Sequence, residues 1–242
     1  PDAGTIGKSY IFTESPDSLV QITDGNFDGP ALNVVYSDGF FVFAKSDSDK
    51  FFNSAIKNGL SYDALDFSQA VADPDDIRST IALKSQLYVL GSQTIEVFRN
   101  IARVPSPFQR ISGGVLDVGV IARSSVKLFA GQFAFIGSGV NESPSVWMVS
   151  GGQKDKISTI AIDNELSKLS DSEISAADAW VYAESGNFFY GVSLPDTTFV
   201  YDVVNQRWHE RQSTDGLELS RSRICGMITA YGRVIVGDSQ SG

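Results

Sequence analysis

A short motif recurs along the chain at nearly constant spacing: a Gly or Ser opens a run of aromatic or aliphatic residues. These anchor residues are Gly39, Ser85, Gly131, Gly186 and Gly232, at intervals of 46, 46, 55 and 46 residues. A period of about 40 to 50 residues with strand-like content is typical of β-propeller blades. The spacing therefore predicts a chain built from similar supersecondary units packed side by side.

The run that follows each anchor is apolar at successive positions. Two and four residues after the anchors stand Phe41 and Phe43, Leu87 and Val89, Phe133 and Phe135, Phe188 and Tyr190, and Val234 and Val236. The residues between them are Val42, Tyr88, Ala134, Phe189 and Ile235. Successive side chains of a strand point to opposite faces of its sheet. We therefore expect these strands to be buried on both faces, as in a blade packed between two neighbours.

Further strand-like segments flank each anchor, one directly before it and one roughly a dozen residues after it. A short fourth segment follows near Leu65, Phe108, Ile157 or Trp208. Four strands per repeat are the content of a propeller blade. The predicted fold class is therefore all-β and β-propeller-like, with about five to six four-stranded blades.

The first and last units differ from the others. Residues 10–13 and 19–23 resemble two strands without a leading pair, and the last unit holds two strands before Gly242. Either these segments close one blade together, which would give a five-bladed ring, or the chain is cropped from a longer propeller. In both cases we expect residues 1–242 to belong to a single β-propeller domain.

The interval of 55 residues contains a helical pattern, and we expect a small helical insertion near residues 163–178. The candidate helix N-caps are Asp163 or Asn164 for a first helix and Asp171 or Ser172 for a second. An insertion of this size accounts for the longer interval, and it maps to a loop that connects blades.

Loops between blades are where partners are often contacted. The loops at residues 141–145 and 164–175 are therefore predicted to contact neighbouring proteins. Their candidate partner-binding residues are Asn141, Glu142, Asn164 and Glu165.

The chain is acidic, with a formal net charge of −10. Tight general DNA binding needs clustered Lys and Arg that neutralise phosphates, so this charge argues against it. No apolar run approaches the roughly 18 to 20 residues that cross a bilayer, and we expect no membrane association. The lone Cys225 excludes an intrachain disulfide.

One segment partly matches a calcium-binding loop. Asp24, Asn26 and Asp28 occupy its first three ligand positions, but Val35 stands where the bidentate Glu is required. The pattern is more typical of a Gly/Asp-rich turn. These residues are thus a weak calcium candidate, and we expect no metal or cofactor.

Catalytic patterns are scarce. The acids Asp73, Asp75 and Asp76 are typical of a solvated turn rather than of a metal site. His209 is the single histidine of the chain, which removes most nucleophilic triads. Carboxylate pairs for glycoside cleavage cannot be placed from spacing alone, because they require a separation of roughly 5 to 10 Å in space. We expect no catalytic residues and no enzyme activity.

Five segments carry a more specific resemblance: residues 87–91 (LYVLG), 94–98 (TIEVF), 107–111 (PFQRI), 156–162 and 201–211. With them, nearly the whole chain resembles the packaged-DNA stabilisation proteins of short-tailed bacteriophages. The resemblance implies a propeller-like structural protein that catalyses no reaction. It also implies that the protein forms a ring-shaped tail hub, usually of six copies.

The resemblance also implies partners and a location. Such a hub attaches below the portal-associated tail protein after packaging and binds the tail needle or plug that retains the DNA. Packaged DNA would pass nearby without tight binding. The protein would be assembled in the host cytoplasm and reside in the virion tail.

Two other functions fit a propeller. One is a carbohydrate- or protein-binding module that uses Trp and Tyr on its loop faces. The other is a glycoside hydrolase, with paired carboxylates in a deep pocket.

Overall fold

The computed structural model describes residues 8–72, 75–215 and 218–239. The chain divides into two compact units, residues 1–119 and 120–242. In both units the strands form small antiparallel sheets, and every sheet is built from strands that are consecutive in sequence.

The first unit contains one hairpin and two four-stranded sheets. The hairpin consists of β1 (Tyr10–Glu14) and β2 (Asp17–Gln21). The first sheet has β3 (Ala31–Ser37), β4 (Phe40–Lys45), β5 (Lys50–Ala55) and β6 (Asn58–Gln69). The second has β7 (Ile77–Leu83), β8 (Gln86–Gly91), β9 (Ile95–Asn100) and β10 (Phe108–Leu116).

The second unit contains two further four-stranded sheets with two helices between them. The first sheet has β11 (Gly119–Phe129), which begins at the boundary, β12 (Gln132–Ser138), β13 (Ser145–Ser150) and β14 (Gln153–Lys156). The helices are α1 (Ile160–Ser167) and α2 (Asp171–Ser175). The second sheet has β15 (Asp178–Glu184), β16 (Asn187–Ser193), β17 (Thr198–Asp202) and β18 (Arg207–Glu210). Two hairpins follow, β19 (Gln212–Asp215) with β20 (Glu218–Arg221), and β21 (Ile224–Ala230) with β22 (Arg233–Asp238).

All five anchor residues lie in the tight turn that joins the first two strands of a sheet or hairpin. Both central residues of each turn have positive φ, for example 48° at Asp38 and 93° at Gly39. Two positive φ angles are what a type I′ turn requires, which explains Gly at four of the five anchors. Ser85 adopts a φ of 59° without that advantage. The sequence period is therefore the period of a β-hairpin turn.

Burial of the second strands on both faces is confirmed for β8 and β12. Leu87, Tyr88, Phe133 and Ala134 are all buried. In β4 and β16 the runs are buried or half-buried. Each unit has hydrophobic clusters of its own around these strands.

The same expectation is wrong for β22. Val234, Ile235 and Val236 are exposed there. Strand β22 belongs to a two-stranded hairpin with β21, and side chains on both of its faces are exposed, so within the described residues neither face is covered by a second sheet.

The all-β class with repeated four-stranded sheets and a small helical insertion is confirmed. The expected five to six four-stranded blades correspond to four complete sheets and three hairpins among the described residues. The segments bearing Phe41, Phe133 and Phe188 lie in three separate sheets, as side-by-side units require.

The predicted helix N-caps are wrong. Helix α1 begins earlier, after the N-cap Thr159, and Asp163 lies in its first turn. Helix α2 follows the N-cap Ser170, whose hydroxyl accepts from the Glu173 backbone while the Glu173 carboxylate accepts from the Ser170 backbone. Such a reciprocal capping box satisfies two free backbone donors and fixes where the helix begins.

Candidate interaction surface

Helix α1 packs against β13 in the second unit. Its buried residues Ile162 and Leu166 join the same hydrophobic cluster as Val146 of β13. At its amino end Ile160 is 80% exposed. The helix is thus anchored along one face and presents an apolar side chain to solvent.

A groove of about 700 Å³ lies between β14, α1 and β18, and we call it the α1–β18 groove. Both flanking strands are the outermost strands of their sheets. Its apolar lining includes Ile157, Phe199, Tyr201 and Trp208. The Trp208 Nε1 donates to the Ile157 carbonyl at 2.7 Å, and the Tyr201 and Trp208 rings lie 5.1 Å apart. These contacts fix the aromatic floor in place.

Charged side chains of both signs line the α1–β18 groove. Lys156 pairs with Asp163, and the Glu210 carboxylate accepts hydrogen bonds from neutral side chains, Thr197 and Gln212. Arg207 is exposed and has no ion-pair partner among the described residues. The groove therefore combines an apolar floor with charged groups of both signs, among them Arg207, Asp155 and Glu210.

A smaller depression of about 420 Å³ lies on the other side of α1. Glu142 and Asn164 both line it, so the structure brings together one predicted residue from each loop. Asn141 lies beside Glu142 in the turn, with a φ of 60°. Glu165 does not line the depression, and it pairs with Lys168 at 2.6 Å. Whether these residues bind a partner stays a prediction.

Asp163 connects α1 to β14. Its carboxylate accepts a hydrogen bond from the Ser158 hydroxyl at 2.6 Å and pairs with the Lys156 ammonium. Burial alone would raise the pKa of Asp163, but the hydrogen bonds from Lys156, Ser158 and Ser145, with the charge of Lys156, lower it overall. The lowered pKa means that the ionised form is favoured in the folded chain.

We expect Asp163→Asn to lower the free energy of unfolding by about 1 to 2 kcal/mol at pH 6, because the charged hydrogen bonds are lost. A lowered folded pKa stabilises the chain above the unfolded value of 3.8 and loses that effect as pH falls through the folded pKa. The difference from wild type should therefore vanish near pH 2 in urea titrations.

The matched control is Asp155→Asn, because Asp155 lies on β14 next to Lys156 but has no ion-pair partner in the described part of the chain. Its effect should be small at both pH values. An Asp163→Asn effect of equal size at pH 6 and pH 2 would contradict the assignment.

The weak calcium candidates form a turn. The Asp24 carboxylate accepts the backbone N–H groups of Asn26 and Tyr62, both at 2.9 Å, and these bonds lower its pKa. The Asn26 amide donates to the Tyr62 carbonyl, and Asp28 pairs with Lys45. Asp24 and Asn26 thus hold the segment against β6, and Asp28 holds it against β4.

The second acidic segment also serves the fold. Asp73 and Pro74 lie outside the described residues. Asp75 is buried, and one of its carboxylate oxygens accepts the backbone N–H groups of Gln93 and Thr94. Across the described ranges, no group of three or more His, Cys, Asp or Glu side chains is arranged to hold a metal ion. In the same ranges, neither helix is long and apolar enough to cross a membrane.

The sequence did not reveal the α1–β18 groove as a site. Its walls come from segments about fifty residues apart, Lys156 to Ile162 and Phe199 to Glu210. The available signal was the edge-strand segment at Arg207, Trp208 and His209, where aromatic and basic residues are adjacent.

Successive four-stranded antiparallel sheets of one repeat define the chain as a β-propeller protein. A family model described as "Bacteriophage P22 Gp10, beta-propeller" matches residues 4–242, and the chain belongs to this phage stabilisation family. The family supports a structural role in a bacteriophage. No curated protein sequence matches the chain.

Several solved structures are similar to the chain at low sequence identity. The dihydro-haem d1 dehydrogenase NirN is 10% identical with a TM-score of 0.56, over 97% of this chain and 50% of NirN. A putative exported protein of Bacteroides fragilis is 10% identical, with a TM-score of 0.44, over 84% of this chain and 65% of that one. The Swd1 β-propeller domain of Myceliophteria thermophila is 8% identical, with a TM-score of 0.40, over 86% and 66%.

The chain spans half the length of NirN and just under two thirds of the other two chains. At 10% identity the likeness to NirN shows the fold alone.

Proposed function

We propose that the chain is a structural component of a phage tail: a ring-forming hub that closes the head–tail channel and retains packaged DNA. The observation that carries this proposal is the family match over residues 4–242. The role is mechanical and involves no chemistry. Strands buried on both faces, such as β8 and β12, support it because close-packed sheets resist deformation.

The proposed partners are other copies of the chain, a portal-associated tail protein above the hub and a tail needle or plug protein below it. Helix α1 and the depressions on its two sides are the surface that best suits such contacts. An exposed apolar side chain such as Ile160, surrounded by polar groups, is the kind of residue that a protein interface buries.

The net charge of −10 supports the passage of DNA without retention on the hub. A polyanion is repelled by a surface of like charge, so it does not adhere. We therefore propose that packaged DNA passes near the chain without tight binding.

The test uses DNA-filled phage heads that lack this protein. We expect the purified chain to sediment with such heads and to reduce the fraction of their DNA that DNase can digest. The assay is repeated with heads isolated at successive stages of tail assembly. If the chain binds none of them, the hub function is overturned.

The contribution of α1 is tested in the same assay with Ile160→Asp. The change places a charge where an apolar contact is expected, so head binding should weaken roughly tenfold or more. Val104→Asp is the matched control, because Val104 is 87% exposed on the other unit. If both variants bind the heads equally well, α1 is not part of the contact surface.

The α1–β18 groove also suits the carbohydrate-binding alternative, because Tyr201 and Trp208 line it. Two carboxylates, Asp155 and Glu210, line the same groove. The glycoside hydrolase alternative needs such a pair at a separation of roughly 5 to 10 Å. Binding on a glycan array that Trp208→Ala abolishes would favour the first alternative. Glycan cleavage that Glu210→Gln abolishes would favour the second.

A further inference from the structure

The sheet of β7 to β10 differs in charge from the chain as a whole. Its residues 77–116 contain five Lys or Arg and one Asp or Glu, in a chain whose formal net charge is −10. The single acid, Glu96, is buried and pairs with Arg110 at 3.0 Å. This sheet is therefore a basic region of an acidic protein.

Three of its cations lie at one end of the sheet. Lys84 is in the turn between β7 and β8, Arg99 is near the end of β9, and Arg103 is in the loop between β9 and β10. In an antiparallel sheet these two connections lie at the same end. The Ile101 N–H donates to the Pro107 carbonyl at 2.8 Å and closes the loop. All three cations are exposed, and none has an ion-pair partner among the described residues.

Arg99 stands between two amide side chains. Its cross-strand partners are Gln86 on β8 and Gln109 on β10. Residues that pair directly across strands point to the same face, so the guanidinium and the two amides form a row of donors. The Tyr88 hydroxyl donates to the Gln86 amide oxygen at 2.9 Å, which leaves the amide N–H groups of Gln86 as donors. We call this surface the basic end, and it consists of Lys84, Gln86, Arg99, Arg103 and Gln109.

The carboxylates that flank this sheet in sequence lie at its other end. Asp75 accepts hydrogen bonds from the turn between β8 and β9, Asp76 precedes β7, and Asp117 follows β10. Strand β8 has six residues, so the two ends of the sheet are roughly 20 Å apart. These carboxylates therefore do not neutralise the basic end.

The neighbouring sheet of β3 to β6 adds no net negative charge there. A backbone hydrogen bond from the start of β7 to the turn between β4 and β5 aligns the two sheets, so the turns with Asp38 and Lys57 lie at the same end as the basic end. Those two residues carry opposite charges. Ser68 of β6 contacts Ser106 of the β9–β10 loop at 2.6 Å. Nearby on β6, burial and a neighbouring carboxylate raise the pKa of Asp66, whereas an adjacent cation would lower it.

We propose that the basic end binds the phosphate backbone of duplex DNA, with Arg99 and its two flanking amides at one phosphate and Lys84 and Arg103 at neighbouring phosphates. The inference rests on the proposed hub function and names the surface that the passing DNA contacts. Phosphate oxygens accept hydrogen bonds from Arg, Lys and Gln side chains, and such contacts do not read the base sequence. DNA is favoured over an acidic protein because protein interfaces have an apolar core, and Val104 is the one exposed large apolar residue of this sheet.

Such a contact is weak and depends on salt. Neutralisation of three phosphates gives a slope of about −2.7 for the logarithm of the binding constant against the logarithm of the salt concentration. Affinity should then fall roughly 500-fold between about 20 and about 200 mM salt. Free DNA is thus released near physiological salt, which fits passage without tight binding. In a channel filled with DNA, the high local concentration of phosphate keeps the contact occupied.

The experiment is a salt titration of DNA binding by the full chain, followed by fluorescence anisotropy of short labelled duplexes of two unrelated sequences. We expect wild type to bind both duplexes equally, with a slope of about −2.7. Arg99→Gln should weaken binding roughly tenfold at about 20 mM salt and reduce the slope by about 0.9, whereas Arg99→Lys should keep the slope. Replacement of Lys84, Arg99 and Arg103 together by Gln should abolish binding.

The matched control is Arg207→Gln. Arg207 is also exposed and without an ion-pair partner in the described ranges, but residues 178–210 of its sheet contain five Asp or Glu and one Arg. This variant should bind DNA with the affinity and slope of wild type. Equal weakening by Arg207→Gln and Arg99→Gln would overturn the assignment to the basic end.

The results separate this contact from the hub function. If wild type binds neither duplex at low salt, or if the triple variant still binds, the DNA contact is overturned, and wild-type head binding still decides the hub function. If the triple variant loses head binding but keeps DNA binding, the basic end contacts a protein and the DNA assignment is wrong. If wild type binds DNA as expected but binds no heads, the hub function is overturned and the DNA contact stands.

Discussion

Replacement of Gly119 by alanine is expected to lower the free energy of unfolding by about 3 kcal/mol. A Cβ atom at this position would lie 2.1 Å from the Ser92 carbonyl carbon and oxygen and 2.2 Å from the Gln93 nitrogen. All three are backbone atoms, which cannot move aside as a flexible side chain can.

The turn that contains Ser92 and Gln93 is itself fixed in place by hydrogen bonds. The buried Asp75 carboxylate accepts the Gln93 and Thr94 backbone N–H groups, at 2.6 Å and 3.1 Å. Since the turn between β8 and β9 is fixed by these bonds, the collision with an added methyl group has to be relieved by separating residue 119 from that turn. Loss of that close approach would expose apolar surface, which adds to the cost.

Urea titration of purified wild type and Gly119→Ala measures the effect. Gly25→Ala is the matched control, because a Cβ atom added at Gly25 would have no neighbouring atom within 4 Å and its φ is not in the left-handed region. The control should change stability by less than about 0.5 kcal/mol. Equal effects for the two variants would show that the turn yields to the added methyl group.

The fold could be predicted because its signals are local. A type I′ turn requires a positive φ at its second central residue, which Gly adopts readily, as at Gly39 and Gly186. This requirement does not depend on distant residues. A run that is apolar at every position, as at Leu87 to Leu90, likewise indicates a strand that is buried on both faces.

The fold predictions that are wrong concern sequence patterns whose structure depends on neighbouring segments. Strand β22 has an apolar run like that of β12 but is exposed, because burial depends on whether other segments cover the two faces of a strand, which the run itself does not determine. Asp163 resembles a helix N-cap in sequence, but the ammonium of Lys156 and the hydroxyl of Ser158 occupy its carboxylate, and the helix begins at Ile160.

The candidate site was the least predictable part. Loop position alone pointed to Glu142 and Asn164, and the structure does place them at one depression. The α1–β18 groove requires knowledge of which distant segments face each other. Likewise, the pairing of β6 with β5 is interrupted between Tyr62 and Phe67, and this break, which leaves Leu65 exposed, has no clear mark in the sequence of β6.

Replacement of Gly191 by alanine is the second change with a large expected effect, again about 3 kcal/mol. Gly191 pairs across β15 and β16 with Trp180, and an added Cβ would lie 2.4 Å from the indole Cζ2 atom. The indole is 1% exposed, and its Nε1 donates to the Ser193 hydroxyl at 3.3 Å. The ring is therefore packed on all sides and cannot move away from the new methyl group.

A double-mutant cycle tests the stated cause. Trp180→Phe removes the second ring of the indole and with it most of the collision, at its own cost of about 1 to 3 kcal/mol for the space left behind. In that background Gly191→Ala should cost less than about 1 kcal/mol, so the two changes should be coupled by about 2 kcal/mol in urea titrations. If the costs simply add, the glycine is required by the strand backbone and the collision with Trp180 is irrelevant. If they couple as expected, the absent side chain at Gly191 is what allows the sheet of β15 to β18 to carry a buried tryptophan.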